Sequence, residues 1–433
     1  MYLRGSKWSM NKRRRRSNPW KIIILLGLIG GAVYFNQVIV PVTPPLFIPT
    51  PTATRPPESY VADASALADE GRFAQAINAY QEVLMVDPQN PAHYLEIARL
   101  EIYAARYEDA VTSAANALLL NPNSSMAFTW QAWAFGFLEQ YAEAEQAINQ
   151  AITLDPTNPT AYAAKAIILS LEYSADEGTI NTLDDAVSAS RTAISLAPDL
   201  MEALWARGLI LEITSNYTDA VASLQSAISL NPNIAELHMA LGRNLRFLSD
   251  NEGAIEEFNR ANALDPTNPL PATYISRTYA NIGDYAKAVQ FAEQALQNAP
   301  DDPYMHGNLG VMYFRNGKYE YAIPEFELAI RGGTTAEGVV VEGLPLNYGR
   351  IAEYYYSYGL ALSRMGYCGD ALQIAQTLQL TVANDETAVY NAQEMISICE
   401  QFMESGAATP MALQTPTLGP TPSSTDSTVT PTP

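Results

Sequence analysis

Cysteine and histidine are nearly absent, with two and three copies in 433 residues. So little thiol and imidazole argues against a zinc or other metal centre, which needs several such ligands converging. No phosphate loop, nucleophile elbow or His-Glu-x-x-His segment occurs, and Gly332-Gly333 and Gly338 stand outside any phosphate-loop context. The adjacent acids Asp69-Glu70, Asp184-Asp185 and Asp301-Asp302 fall at turns and helix starts, where carboxylates favour helix N-termini. The expectation is a protein that is not an enzyme and has no cofactor and no catalytic or metal residues.

Basic residues are also scarce: 25 Lys and Arg against 46 Asp and Glu, a net charge of −21. Eight of the basic residues lie in the first 40 positions, which contain no acid, leaving 17 basic against 46 acidic residues and a net −29 in the rest. A body this acidic excludes general binding to nucleic-acid phosphates and favours solubility.

Long apolar runs are confined to one place. Residues 22–40 are 19 positions without a charge, opening Ile-Ile-Ile-Leu-Leu. As a helix this run is about 28 Å long, close to the hydrocarbon thickness of a bilayer. Trp20 and Tyr34 are placed to sit near the bilayer interfaces, and Lys12 to Arg16 and Lys21 precede the run. The positive-inside rule then keeps residues 1–20 in the cytoplasm, makes 21–40 a single-pass signal anchor, and puts the remainder outside. A cleaved signal peptide is the rival reading, against which stands the lack of a small-x-small site before Pro41.

Proline is plentiful at both flanks. Residues 41–57 hold seven prolines and read as a semi-rigid stalk. The tail, 405–433, repeats Thr-Pro and lacks the apolar content for a core, so disorder is expected. Glycans on its Thr and Ser are an open alternative to a plain spacer.

Between the flanks proline is periodic. Pro88, Pro122, Pro156, Pro198, Pro232, Pro266 and Pro300 are separated by six intervals, five of them 34 residues and one of 42, an eight-residue insertion in the fourth repeat. Most sit in one phrase, such as Val86-Asp87-Pro88, Leu120-Asn121-Pro122 and Leu264-Asp265-Pro266. Each phrase stops a helix, because proline lacks the N–H and restrains the residue before it. A small residue followed one turn later by a larger one recurs at the same offset: Ala76/Tyr80, Ala144/Ile148, Ala220/Leu224, Ala254/Phe258 and Ala322/Phe326. Leu309-Gly310-x-x-Tyr313 and Leu241-Gly242-x-x-Leu245 mark the preceding helix.

This pattern resembles the tetratricopeptide-repeat (TPR) family over about residues 57–404. The resemblance implies an all-α solenoid of stacked helix pairs in a right-handed superhelix: eight repeats over 58–330, an insertion at 331–350, and a degenerate ninth repeat with a capping helix over 351–404. Departures are Glu101 in a slot where an aromatic is expected, and Thr334 where a final proline belongs. In the insertion, Val339-Val340-Val341 between glycines predicts a short strand or hairpin, acting either as a plug over the groove or as a linker. Tyr354, Tyr355, Tyr356 and Tyr358 then follow, with packing against the insertion the plainer expectation. His93, His238 and His306 fall at packing positions of the repeat.

The resemblance also implies protein partners, bound on the concave face by the first helix of each pair. By register this face receives Trp130, Trp133, Phe137 and Trp205 early, and Arg243, Arg246, Tyr274, Arg277, Asn308, Arg315 and Arg364 later, with Tyr304 and Tyr356. Six of the 17 basic residues, counting Arg99, fall at late concave positions, where chance would put about one or two. An aromatic first half and a cationic second half would suit an extended peptide with acidic side chains or a free C-terminus; the rival is that these arginines pair with acids of neighbouring helices. Cys368 opens one helix and Cys399 closes the next. Antiparallel stacking brings them within reach, so they are the disulfide candidate, with two buried free thiols as the alternative. The functional expectation is a membrane-tethered scaffold in a bacterium with extracytoplasmic repeats; a non-catalytic accessory subunit of an envelope glycan-processing or secretion complex is the alternative.

Overall fold

The structure is a computed structural model that describes residues 18–39 and 56–404. The basic segment 1–17, most of the stalk and the tail lie outside the described residues. The protein divides into two units at Pro56/Pro57.

The first unit contributes α1, Pro19–Tyr34, continued by a π-helical turn at Phe35–Ile39. Asn18 caps it by accepting from the Trp20 N–H. The span Pro19–Val38 has 20 residues, a mean hydropathy of 1.6 and no buried residue, so by length and composition it is able to cross a membrane.

Among its described residues the second unit is built of helices and one hairpin. The pairs are α2 Pro57–Asp69 with α3 Phe73–Val86, α4 Pro91–Tyr103 with α5 Tyr107–Leu120, α6 Ser125–Phe137 with α7 Tyr141–Leu154, and α8 Pro159–Ser174 with α9 Thr182–Leu196. Then come α10 Met201–Ile213 with α11 Tyr217–Leu230, α12 Ala235–Phe247 with α13 Asn251–Leu264, α14 Pro269–Asn281 with α15 Tyr285–Asn298, and α16 Pro303–Arg315 with α17 Tyr319–Arg331. A two-stranded hairpin, β1 Gly333–Thr334 and β2 Val340–Val341, precedes α18 Arg350–Arg364, α19 Cys368–Thr381 and α20 Glu386–Glu404.

Local chemistry explains these bounds. Most first helices begin with a polar cap whose side chain accepts an N–H of the first turn: Asn90, Ser124, Asn158, Asn268 and Asp302. Proline often follows at the first helical position, where its missing N–H leaves nothing unpaired. The turn inside each pair passes through a left-handed residue, which is glycine at 71, 283, 317 and 366 but Ala105, Glu139, Asp176, Ser215 and Ser249 elsewhere.

Packing follows the small-then-large pattern. Ala76, Ala144, Ala220, Ala254 and Ala322 are fully buried. At Gly242 and Gly310 an added Cβ would lie 2.6 and 2.8 Å from the rings of Phe258 and Phe326, so only hydrogen fits between the helices of those pairs. The additional residues of the fourth repeat lengthen α8 and the loop after it, where Ile180 is 96% exposed. At the end of the array Cys368 and Cys399 form a disulfide with a Cα–Cα distance of 5.5 Å, joining α19 to the capping helix α20.

The hairpin is bolted to the solenoid. The Leu344 N–H donates to the Ala329 carbonyl at 2.9 Å, and the Tyr355 hydroxyl donates to the Leu344 carbonyl at 3.0 Å. Of the tyrosines after the insertion, Tyr355 is the one that bonds to it. Tyr358 instead donates to Glu327, and Tyr354 packs on Tyr304 under the arginines of the concave side.

Candidate partner-binding face

The tryptophans of the early first helices are not an accessible surface. Trp130, Trp133 and Trp205 are each 2% exposed or less, and Phe137 is half-buried. Their rings form one continuous cluster: Phe73 on Tyr103 at 5.8 Å, Tyr103 on Trp130 at 6.5 Å, Trp130 on Trp133 at 5.8 Å, Trp133 on Trp205 at 5.3 Å, and Phe137 stacked on Tyr107 at 4.6 Å. The expectation of an open aromatic half is thereby corrected. The physical reason is the winding of these repeats. On α8 the residues Ala161, Ala163, Ala164 and Ala166 have no exposed area, so α6 and α10 close in and their tryptophans meet across the repeat between them. The Tyr103 hydroxyl likewise donates to Glu202 Oε1 at 2.5 Å, linking α4 to α10.

The cationic residues remain at the surface of their helices, but they divide into two sets. Arg243 forks onto Glu212, with Nε–Oε1 2.7 Å and Nη2–Oε2 3.1 Å. Arg315 reaches Glu353 at 3.1 Å, and Arg350 holds the same carboxylate at 2.5 Å. For Arg243 and Arg315 the partner is therefore an acid on the neighbouring first helix. Arg99 is held by Glu96 within its own helix.

The second set has no carboxylate partner among the described residues. Arg246 lies over the Tyr274 ring at 5.4 Å and the Phe247 ring at 5.8 Å. Arg277 donates from Nε to Asn308 Oδ1 at 3.0 Å. Asn308 is 1% exposed, and its Nδ2 has no hydrogen-bond partner among the described residues. Burial pulls both guanidiniums below the ordinary arginine range, and the like charge of Arg350 pulls the same way on each. Arg246 of α12 and Arg277 of α14 are therefore each repelled by Arg350 of α18, and the three make one cationic group. Arg364 sits apart, stacked over Phe314 and Tyr319, each at 5.3 Å. Tyr304 is exposed and Tyr356 half-buried.

A half-buried guanidinium without a counter-charge is an unfilled donor fork. Carboxylates satisfy such forks with short, paired hydrogen bonds. Arg243 and Arg277 are 34 residues apart and share one register position, so the repeat pattern does not separate them. Only the position of Glu212 on an adjacent helix tells them apart.

The histidines are built into the repeat packing. His238 faces Glu257 from Nδ1 at 2.6 Å and the Pro232 carbonyl from Nε2 at 2.8 Å; His306 faces Glu325 at 2.7 Å and the Pro300 carbonyl at 3.1 Å in the same way. His93 meets Asp87 at 3.1 Å. Each ties the start of a first helix either to the second helix of its pair or to the turn before it.

Stacked helix pairs and a shared hydrophobic interior define a helical-repeat solenoid. The chain belongs to the tetratricopeptide-repeat family. Three family models, each described as a tetratricopeptide repeat, match residues 67–133, 127–158, and 181–233, 214–269 and 275–337, together more than half of the chain. Tetratricopeptide repeat protein 28 of Homo sapiens is 32% identical over 96 residues, which is 22% of this chain and 4% of that relative's length. Among solved structures, the human IFIT1 dimer with PPP-AAAA aligns with 80% of this chain and 83% of its own at 15% identity and a TM-score of 0.50. PilW, a widely conserved type IV pilus biogenesis factor, aligns with 47% of this chain and 91% of its own at 18% identity and a TM-score of 0.41. At these identities the likeness is one of fold. That fold is generally non-catalytic.

Proposed function

We propose that this protein is a membrane-tethered scaffold whose second half captures partner proteins through their acidic side chains or a free C-terminus. The observation that supports this most directly is the group formed by Arg246, Arg277 and Arg350. Two of its three members lack a carboxylate partner, in a body with a net −29 outside the first 40 residues. Tyr274 beside Arg246 would add ring contact. The tether is inferred from the apolar span Pro19–Val38 and the basic residues before it. By the same rule the repeats face away from the cytoplasm, where the Cys368–Cys399 bond would persist. A bacterial envelope is our reading of that arrangement.

The test uses the full-length protein and two fluorescent peptides of equal length, one alternating Glu with Leu and one alternating Lys with Leu. The acidic peptide should bind the wild type, more weakly in high salt. Its affinity should fall about tenfold or more in the Arg246→Glu/Arg277→Glu variant. Equal binding by wild type and variant would remove the arginine group from the function. Release of the protein from membranes by high salt alone, without detergent, would remove the tether.

A further inference from the structure

The hairpin after α17 lies against the seventh and eighth repeats. Its turn, residues 335–339, roofs a cavity of about 730 Å³ whose walls come from α15 and α17 and whose floor is α16. That volume is within the roughly 300–1,000 Å³ typical of ligand-holding pockets.

The roof is a built element. Val341 is 2% exposed, and the turn is closed by the Thr335 N–H on the Val339 carbonyl at 2.8 Å and the Val339 N–H on Thr335 Oγ1 at 3.2 Å. At its base Gly332 adopts φ 69°, and an added Cβ there would lie 2.6 Å from the Val341 carbonyl oxygen, so no larger residue fits. The histidine–glutamate–carbonyl arrangement beneath it recurs around His238 in the sixth repeat, where no hairpin follows. The ion pair is thus part of the repeat, and the overhang is particular to this place.

The lining has one sign of carboxylate charge and no Lys or Arg. Leu296, Leu309 and Leu328 supply apolar surface; Glu293, Glu325 and Glu337 supply the charges. Glu325 is engaged by His306, and Glu293 accepts one bond from the Tyr313 hydroxyl at 2.7 Å. Glu293 and Glu337 are exposed, with acceptor sites to spare.

We propose that this cavity is a second binding site, separate from the arginine group, which takes an extended basic segment of a partner protein. An apolar side chain of that segment would rest on Leu296, Leu309 and Leu328, and flanking Lys or Arg side chains would reach Glu293 and Glu337. The two sites thus select opposite charges: acidic segments on the first-helix face and basic ones under the hairpin.

The test is fluorescence anisotropy of the full-length protein with the alternating Lys-Leu peptide, set against two charge-matched variants. Glu293→Lys/Glu337→Lys alters the cavity rim; Glu143→Lys/Glu145→Lys alters the exposed face of α7 by the same net charge. The rim variant should weaken binding about tenfold and the α7 variant by less than about twofold, with unchanged helical circular dichroism in both. Arg246→Glu/Arg277→Glu should leave this peptide's affinity intact, so the two sites stand or fall separately. Equal weakening by the rim and α7 variants would show attraction to net charge alone and overturn the proposal, as would equal binding of the Glu-Leu peptide at the rim.

Discussion

Trp133 and Trp205 lie on first helices two repeats apart, yet their ring centroids are 5.3 Å from each other. Ordinary stacking brings each repeat against its nearest neighbours. The contact exists because alanines on α8 let the flanking helices approach over it. Tryptophans that the register assigns to a binding surface thus become the interior of a tightly wound array.

Trp133→Ala should remove that interior. Burial of this kind is worth about 3–5 kcal/mol when deleted from a core. The expected results are a lower urea midpoint and, by small-angle scattering, a larger radius of gyration as the early repeats unwind. A destabilised variant of unchanged size would mean that the tryptophans pack without setting the winding.

Glu101 is 3% exposed, and its Oε2 has no hydrogen-bond partner among the described residues. Burial raises its carboxyl to about 7. The sign follows from linkage: the folded state holds this proton more tightly than the unfolded state, so stability falls as pH rises from the unfolded value of 4.5 towards 7. Glu101→Gln should therefore stabilise the protein at pH 8, by at most about 3 kcal/mol, and have little effect at pH 4.5. Urea melts at the two pH values measure the difference; a pH-independent gap would refute the assignment.

His306 has the same sign of pH dependence for a different reason. Burial alone lowers its pKa, but the Glu325 carboxylate and the Pro300 carbonyl outweigh burial and the net direction is upward. A raised histidine contributes stability that is complete below its unfolded pKa, near 6.5, and is lost as pH rises through the folded value. His306→Gln should lose more stability at pH 5.5 than at pH 8.5. The same melts decide it, and a loss that grows with pH would be incompatible with a charged imidazole in the fold.

The Cys368–Cys399 bond closes a loop with a sequence separation of 31. In the chain-entropy account it contributes roughly 3–4 kcal/mol. Cys399→Ser should lower the unfolding midpoint of the last repeat by a corresponding amount and remove the mobility shift between reduced and unreduced gels. Equal mobility of the reduced and unreduced wild type would show free thiols.

Ala105, at φ 55°, occupies a left-handed turn position that glycine holds in other pairs, such as Gly283 at φ 84°. Ala105→Gly should stabilise the second repeat by about 0.5–1 kcal/mol, the relief of Cβ strain exceeding the added entropy of the unfolded state. A lower melting temperature would show the strain to be negligible there.

What the sequence determined by itself is what depends on neighbours along the backbone. Proline stops, capping residues, the 34-residue period and the small-then-large pairs act within one or two helices, so they define helix pairs and the all-α solenoid wherever they occur. The span of α1 is equally local, a matter of length and hydropathy. Tertiary structure alone decided how tightly the pairs wind, since that depends on alanines of one repeat facing tryptophans of two others. It decided as well which arginines are neutralised: Arg243 and Arg277 share a register position, but a glutamate of an adjacent helix reaches Arg243 while Arg277 meets Asn308. The cavity under the hairpin has the same origin: α15, α16, α17 and the turn follow one another along the chain, but only their packing encloses the space between them.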